Sequence, residues 1–162
     1  MQTIAYWMMG SLAGAQWGEL AVIAPIIIAS ILFFWTQSRV LNLMLLGDES
    51  AITMGTDLHA YRQWYLLISS LIVGFAVYSA GMIGFVGLIV PHVIRMFTGP
   101  DHKRLLPVAA LVGAIFLVVA DGLCRVIIPH TELPIGILIS MIGAPSFIYL
   151  MIKKTYGFGG SD

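Results

Sequence analysis

Few side chains in this chain are equipped for chemistry, and their spacing decides which chemistry is open to them. Asp121 and Arg125 stand four residues apart, so on a helix they share a face and can form a local ion pair. The same guanidinium could instead grip a carboxylate of another molecule bidentately, or snorkel to lipid headgroups. His92 follows Pro91 within an apolar stretch, where a histidine could bind metal or relay protons. It lies one turn before Arg95 with no second ligand at metal spacing, so it reads as a hydrogen-bonded structural histidine, and no metal or cofactor is expected. Ser69, Ser70, Ser79 and Ser140 have no visible base or paired acid, and Asp121 is the one acid inside an apolar run. An intramembrane hydrolase would need such a set, so no residue is expected to be catalytic. Cys124 is the single cysteine, which excludes an intrachain disulfide and reads as a buried thiol. CxxC, HExxH and GxxxxGK[ST] motifs are all missing, which leaves zinc and P-loop chemistry without support.

One polar stretch has the shape of a contact site. Leu46-Gly47-Asp48-Glu49-Ser50-Ala51-Ile52-Thr53-Met54-Gly55 reads as a short helix, with Asp48 and Glu49 at its positive end and Gly55 suited to its carboxyl cap. It would serve either as a contact for a cytoplasmic partner or as a plain interfacial connector.

The elements that must position these residues follow from composition. The chain has 162 residues, 59% hydrophobic and 10% charged, with eight Lys/Arg against eight Asp/Glu. Soluble domains carry about 25% charged residues, so a soluble globular domain, a disordered segment and a basic nucleic-acid binder are excluded. Residues 20–38, 63–94, 105–120 and 133–152 carry no Asp, Glu, Lys or Arg. Crossing a bilayer core of about 30 Å takes about 20 mainly apolar residues. The stretch 64–97 would make one helix of roughly 50 Å, too long even for a tilted span. Gly81, Gly84 and Gly87 weaken it, which predicts a tight hairpin breaking near 81–87 and buried among other helices.

An all-α polytopic transmembrane bundle of about five spans is therefore expected, at about 19–36, 64–81, 83–97, 105–128 and 133–152. Pro107 suits a first helical turn, Pro91 and Pro145 should kink their spans or sit at breaks, and 155–162 reads as a frayed tail. With five crossings, seven of the eight Lys/Arg lie on one side, which makes that side and the carboxyl terminus cytoplasmic. Arg125 is the exception, at the outer end of its span. Trp17, Trp35 and Trp64 fall near span ends, as in an aromatic belt. The first eighteen residues have no basic n-region, so a cleavable leader is not expected.

Several stretches, in order, carry a family resemblance: Tyr6-Trp7-Met8-Met9-Gly10, Leu46-Gly47-Asp48-Glu49-Ser50-Ala51, Gly84-Phe85-Val86-Gly87-Leu88-Ile89-Val90-Pro91-His92, Asp101-His102-Lys103-Arg104-Leu105-Leu106-Pro107, Ala120-Asp121, Glu132-Leu133-Pro134-Ile135-Gly136 and Ile142-Gly143-Ala144-Pro145. With these the chain resembles the FecCD-type permeases, the type II ABC importer subunits for iron-siderophores, haem and cobalamin. The match covers residues 1–154 and corresponds to the carboxy-terminal half of that family.

The resemblance implies a ten-span subunit in the bacterial inner membrane, paired with a second permease subunit. An ABC ATPase would bind below and a periplasmic or lipid-anchored substrate-binding protein above. It implies that Gly47, Asp48, Glu49, Ser50, Ala51, Met54 and Gly55 form the segment that couples to the ATPase, and that Arg125 meets an acid of the binding protein. It also implies that Trp7, Met8 and Met9 can rim the pathway, and that ATP chemistry belongs to the separate ATPase. The competing readings are a stand-alone oligomeric channel or scaffold and an intramembrane enzyme.

Overall fold

A computed structural model describes residues 9–12, 14–47, 58–127 and 134–156. Six helices occur among them: α1 (Trp17–Thr36), α2 (Ser38–Leu45), α3 (Leu58–Ala80), α4 (Val86–Thr98), α5 (His102–Ile127) and α6 (Ile135–Tyr156). No strand is found among the described residues. α1, α3 and α5 are long and apolar enough to cross a membrane, whereas α4 and the apolar part of α6 are shorter. At 1.5 Å per residue the 13 residues of α4 reach only about 20 Å.

Two helices start earlier than the apolar runs alone suggest. α3 begins at Leu58, which is buried, and its polar first turns are supported by a His59–Gln63 side-chain contact of 3.2 Å. α5 begins at His102 because Asp101 caps it: the Lys103 amide donates to Asp101 Oδ1 at 3.0 Å, and the Leu105 amide donates to the Asp101 carbonyl at 2.9 Å.

This early start changes the role of Pro107. It stands inside the helix, not in its first turn. Proline has no amide hydrogen, so the Lys103 carbonyl, four residues back, loses its helical donor. The Trp35 indole on α1 supplies the replacement, Nε1 donating to the Lys103 carbonyl at 3.0 Å. Pro91 and Pro145 likewise lie within α4 and α6 and not at breaks.

The expected tight hairpin between the two middle helices does not form. The chain does break at 81–85, but α3 packs on α1 while α4 packs on α5 and α6. α1 lies between α3 and α5, and α2 turns back against α5. Phe33 and Phe34 of α1 meet Tyr65 of α3 edge-on or tilted, with ring centroids 6.2 and 5.5 Å apart. Two small cores fill the other side. Ala120, Cys124, Ile135 and Ile139 form one; Val90, Ile94 and Leu105 form the other. Elsewhere the apolar residues of the long helices point outward, among them Val22, Leu66, Val73, Leu111 and Val118. A surface of that kind belongs in lipid or against another membrane helix.

At one end of the bundle, Met9-Gly10-Ser11 forms a strap between helix termini. The Ser11 amide donates to the Ala80 carbonyl that ends α3, at 3.0 Å. The Ile135 and Gly136 amides that open α6 donate to the carbonyls of Gly10 and Met9, at 3.2 and 3.1 Å. Helix ends leave such groups unpaired, and apolar surroundings offer no water to satisfy them. A Cβ on Gly136 would run into the Met9 carbonyl, so this approach requires glycine.

Next to the strap, the break delivers Phe85 with φ 62°, and Gly143 of α6 receives its ring. A Cβ at position 143 would lie 2.7 Å from Phe85 Cβ and 2.9 Å from its Cγ. The break is not wholly buried, contrary to expectation. Gly81 is buried, but Met82 and Gly84 are exposed, because α3 and α6 diverge there and leave an open cleft.

Two substitutions test this packing by thermal unfolding in detergent micelles. Trp35→Phe should lower stability by about 1 kcal/mol, and by less in a Pro107→Ala background, where the Lys103 carbonyl regains a helical donor. Gly143→Val should cost at least ~2 kcal/mol through overpacking against Phe85.

Candidate functional site

The residues singled out in the sequence separate to opposite ends of the bundle. At the strap end, Arg125 stands on the last turns of α5 with its side chain 60% exposed. Its Nε donates to Asp121 Oδ2 at 2.8 Å, the local i, i+4 pair. An exposed pair of this type contributes at most ~1 kcal/mol, so it orients the guanidinium without locking it. The contact uses Nε alone, and the two terminal nitrogens take no part in it.

Met9 lies at the same end. It is exposed and lines the cleft, about 760 Å³ in volume, together with Val77, Met82, Ile83, Gly84, Ile137, Ser140 and Met141. Ser140 has the one hydroxyl in this lining. Trp7 and Met8, the other expected rim residues, lie outside the described residues.

At the opposite end, α2 closes with Gly47 at φ 91°, a left-handed conformation that suits glycine after a helix. Gly47 is thus where the chain leaves α2 towards the segment expected to couple. Asp48, Glu49, Ser50, Ala51, Met54 and Gly55 lie outside the described residues.

The sequence reading missed what holds α2. Asn42, in the middle of that helix, reaches the amino end of α5. Its Nδ2 donates to Asp101 Oδ1 at 2.8 Å, and its Oδ1 accepts from the His102 amide at 2.9 Å. The same Oδ1 lies 2.8 Å from His102 Nδ1. An amide oxygen only accepts, so the hydrogen sits on Nδ1 of His102. The Asn42 bond, then the Lys103 amide, holds the Asp101 carboxyl below its usual range, with Arg104 and Lys103 adding attraction. Asp101 and His102 are thus half-buried members of a bracket, not merely part of a solvated turn, while Lys103 and Arg104 are exposed. A hint was present in the sequence: an aspartate directly after Gly99-Pro100 and before an apolar run suits an N-cap.

His92 and Cys124 take no part in either end. His92 is half-buried on α4, and its side chain makes no hydrogen bond to another described residue. Cys124 is buried in the core beneath Arg125. Among the described residues, no three His, Cys, Asp or Glu side chains gather in a way that could hold a metal ion.

Comparison with known proteins gives this architecture a family. A profile of the FecCD transport family matches residues 1–153. The haemin transport system permease protein HmuU of Yersinia pestis is 42% identical over 154 residues, covering 95% of this chain and 46% of that protein. The Fe(3+) dicitrate transport system permease protein FecD of Escherichia coli is 43% identical over 147 residues, 91% of this chain and 46% of that protein. The cobalamin import system permease protein BtuC of Halobacterium salinarum is 43% identical over 146 residues, 90% of this chain and 39% of that protein. A solved inward-facing structure of a metal-chelate type ABC transporter superposes with a TM-score of 0.87 at 35% identity, over 94% of this chain and 49% of that one. The chain spans about half the length of the curated relatives it matches. These relatives are permease proteins of transport systems. The chain belongs to the FecCD transport family.

Proposed function

We propose that this chain is the carboxy-terminal half of the membrane subunit of an ATP-driven importer. Its cargo would be an iron-siderophore, haem, cobalamin or a related metal chelate. The observation that carries this is the family match over residues 1–153, with sequence identities above 40% to haemin, ferric dicitrate and cobalamin permeases.

In this reading the helices cross the inner membrane about five times, with the carboxyl terminus in the cytoplasm. The placement of charge supports that orientation. Lys103 follows α4 and meets the end of α1, so Arg39, Arg95, Lys103 and Arg104 gather at the end where α2 lies. A cluster of basic residues at one end marks the cytoplasmic face. The short α4 accounts for part of one crossing, and the non-helical stretch at 81–85 lies against the cleft, where backbone at membrane depth is tolerated.

The segment from Gly47 to Gly55 engages the ATPase, and its displacement drives alternating access as a rigid-body switch. Arg125 is the docking cation for the substrate-binding protein. Asp121 supports this by holding Nε at 2.8 Å while the side chain stays largely exposed. The open cleft beside Met9 and Met141 borders the pathway, and a second permease subunit completes it.

Two measurements on the assembled importer test the reading. The chain should co-purify with an ABC-type ATPase, and Arg125→Glu should weaken binding-protein docking at least ~10-fold while leaving ATPase assembly intact. Failure to bind any ATPase would exclude an importer permease. Unchanged docking affinity would remove Arg125 from the interface.

A further inference from the structure

We propose that Asn42, Asp101 and His102 form a mechanical bracket through which the coupling segment moves α5 directly, with Asn42 as its positioning residue. The inference rests on the importer reading above and extends it, by adding a route that does not pass along the chain through α1 or α3.

Connectivity alone would give the segment after Gly47 two handles. It is continuous with α1 through α2, and with α3 on its other side. The first handle is interrupted. α1 and α2 are separated at Gln37, whose backbone is not helical (φ −86°, ψ 8°). A displacement at Gly47 could therefore be absorbed as a swing of α2 about Gln37. The bracket prevents that swing. One amide side chain, five residues before Gly47, engages three groups at the start of α5: the Asp101 carboxylate, the His102 amide and the His102 ring, all between 2.8 and 2.9 Å. One bond is charge-assisted, and Asp101 is itself fixed by capping α5.

α2 packs on α5 as well, and the bracket adds directional polar contacts to that packing. Immediately below it, Ile31 and Phe34 of α1 and Leu105 and Leu106 of α5 line an open crevice of about 370 Å³. Polar contacts reinforce the connection there: the Asn42 set, together with Trp35 on the Lys103 carbonyl. α5 in turn packs on α4 and α6, and α6 lines the cleft through Ile137, Ser140 and Met141. A push at Gly47 thus reaches the cleft wall through the bracket and then one packed contact, from α5 to α6. Polar networks and packed helices with two discrete arrangements are the physical carriers of such coupling.

The chemistry of the bracket predicts an unusual order of tolerance. Asn42→Leu keeps the size and loses every bond. Asn42→Asp places a second carboxylate against Asp101. Asp101→Asn keeps an oxygen for both the Asn42 and Lys103 donors.

The test uses the assembled importer in proteoliposomes, with Met141→Cys as a reporter in the cleft. Met141 is 73% exposed and Cys124 is buried, so a water-soluble maleimide reads position 141. ATP should change the labelling rate in the parent. Asn42→Leu and Asn42→Asp should each reduce that ATP effect at least ~5-fold while ATP hydrolysis and assembly persist, and Asp101→Asn should keep it. An ATP effect surviving in both Asn42 variants would overturn the bracket. So would its loss in Asp101→Asn equal to that in the Asn42 variants, since that order fits a fold defect. If Asn42→Leu does not assemble, Asn42→Asp against Asp101→Asn decides by the same criterion. No ATP effect in the parent would count against the importer reading itself.

Discussion

The constraint on which this structure depends is that backbone polar groups in apolar surroundings must find partners within the protein. Several long-range contacts of the fold answer it. The carbonyl that ends α3 and the amides that open α6 have no helical partners, and the Met9–Ser11 strap supplies them. Pro107 orphans the Lys103 carbonyl, and Trp35 on a different helix takes it. The amino end of α5 is capped by Asp101, which in turn ties down α2 through Asn42. Outward-facing Val and Leu side chains hold little of this together, since a lipid environment gives them no reason to associate. Close approach at Gly136 and Gly143 and hydrogen bonds at helix ends do more.

That division explains why the two ends of the bundle differ in character. The strap end is held by main-chain contacts and tight glycine seats, with a packed core of Ala120, Cys124, Ile135 and Ile139 beneath it. It carries an exposed Arg125 and an open cleft. The Asn42 end adds side-chain hydrogen bonds to a smaller core of Val90, Ile94 and Leu105, with an open crevice beside it. A tightly seated end suits a docking platform. An end where directional bonds tie α2 to α5 suits a place where motion enters, because such bonds transmit displacement.

What was legible in the sequence follows from which signals are local. Charge spacing located the apolar helices, and the glycines marked the break before α4. The motif stretches carried the family resemblance. The partners that shape the sites were not legible, because they lie far apart in the chain. Asn42 and Asp101 are separated by 59 residues, Trp35 and Lys103 by 68, and neither pair leaves any periodicity. Trp35 read as a belt residue because its apolar body gives that signal whether or not its indole has a partner. The tight hairpin failed for a related reason. Glycine content says that a chain bends there, but which helices then pair depends on Phe85 fitting against Gly143, nearly sixty residues away. The segment from 48 to 57, read as the coupling helix, lies outside the described residues.

The most direct test of the account is a distance. Spin labels at positions 46 and 104, both exposed, bracket the Asn42–Asp101 junction in the assembled importer. The account predicts an unchanged distance distribution between nucleotide-free and ATP-bound states, while position 141 shifts relative to either label. A change of several ångström between 46 and 104 on ATP binding would show α2 swinging independently of α5, and would contradict it.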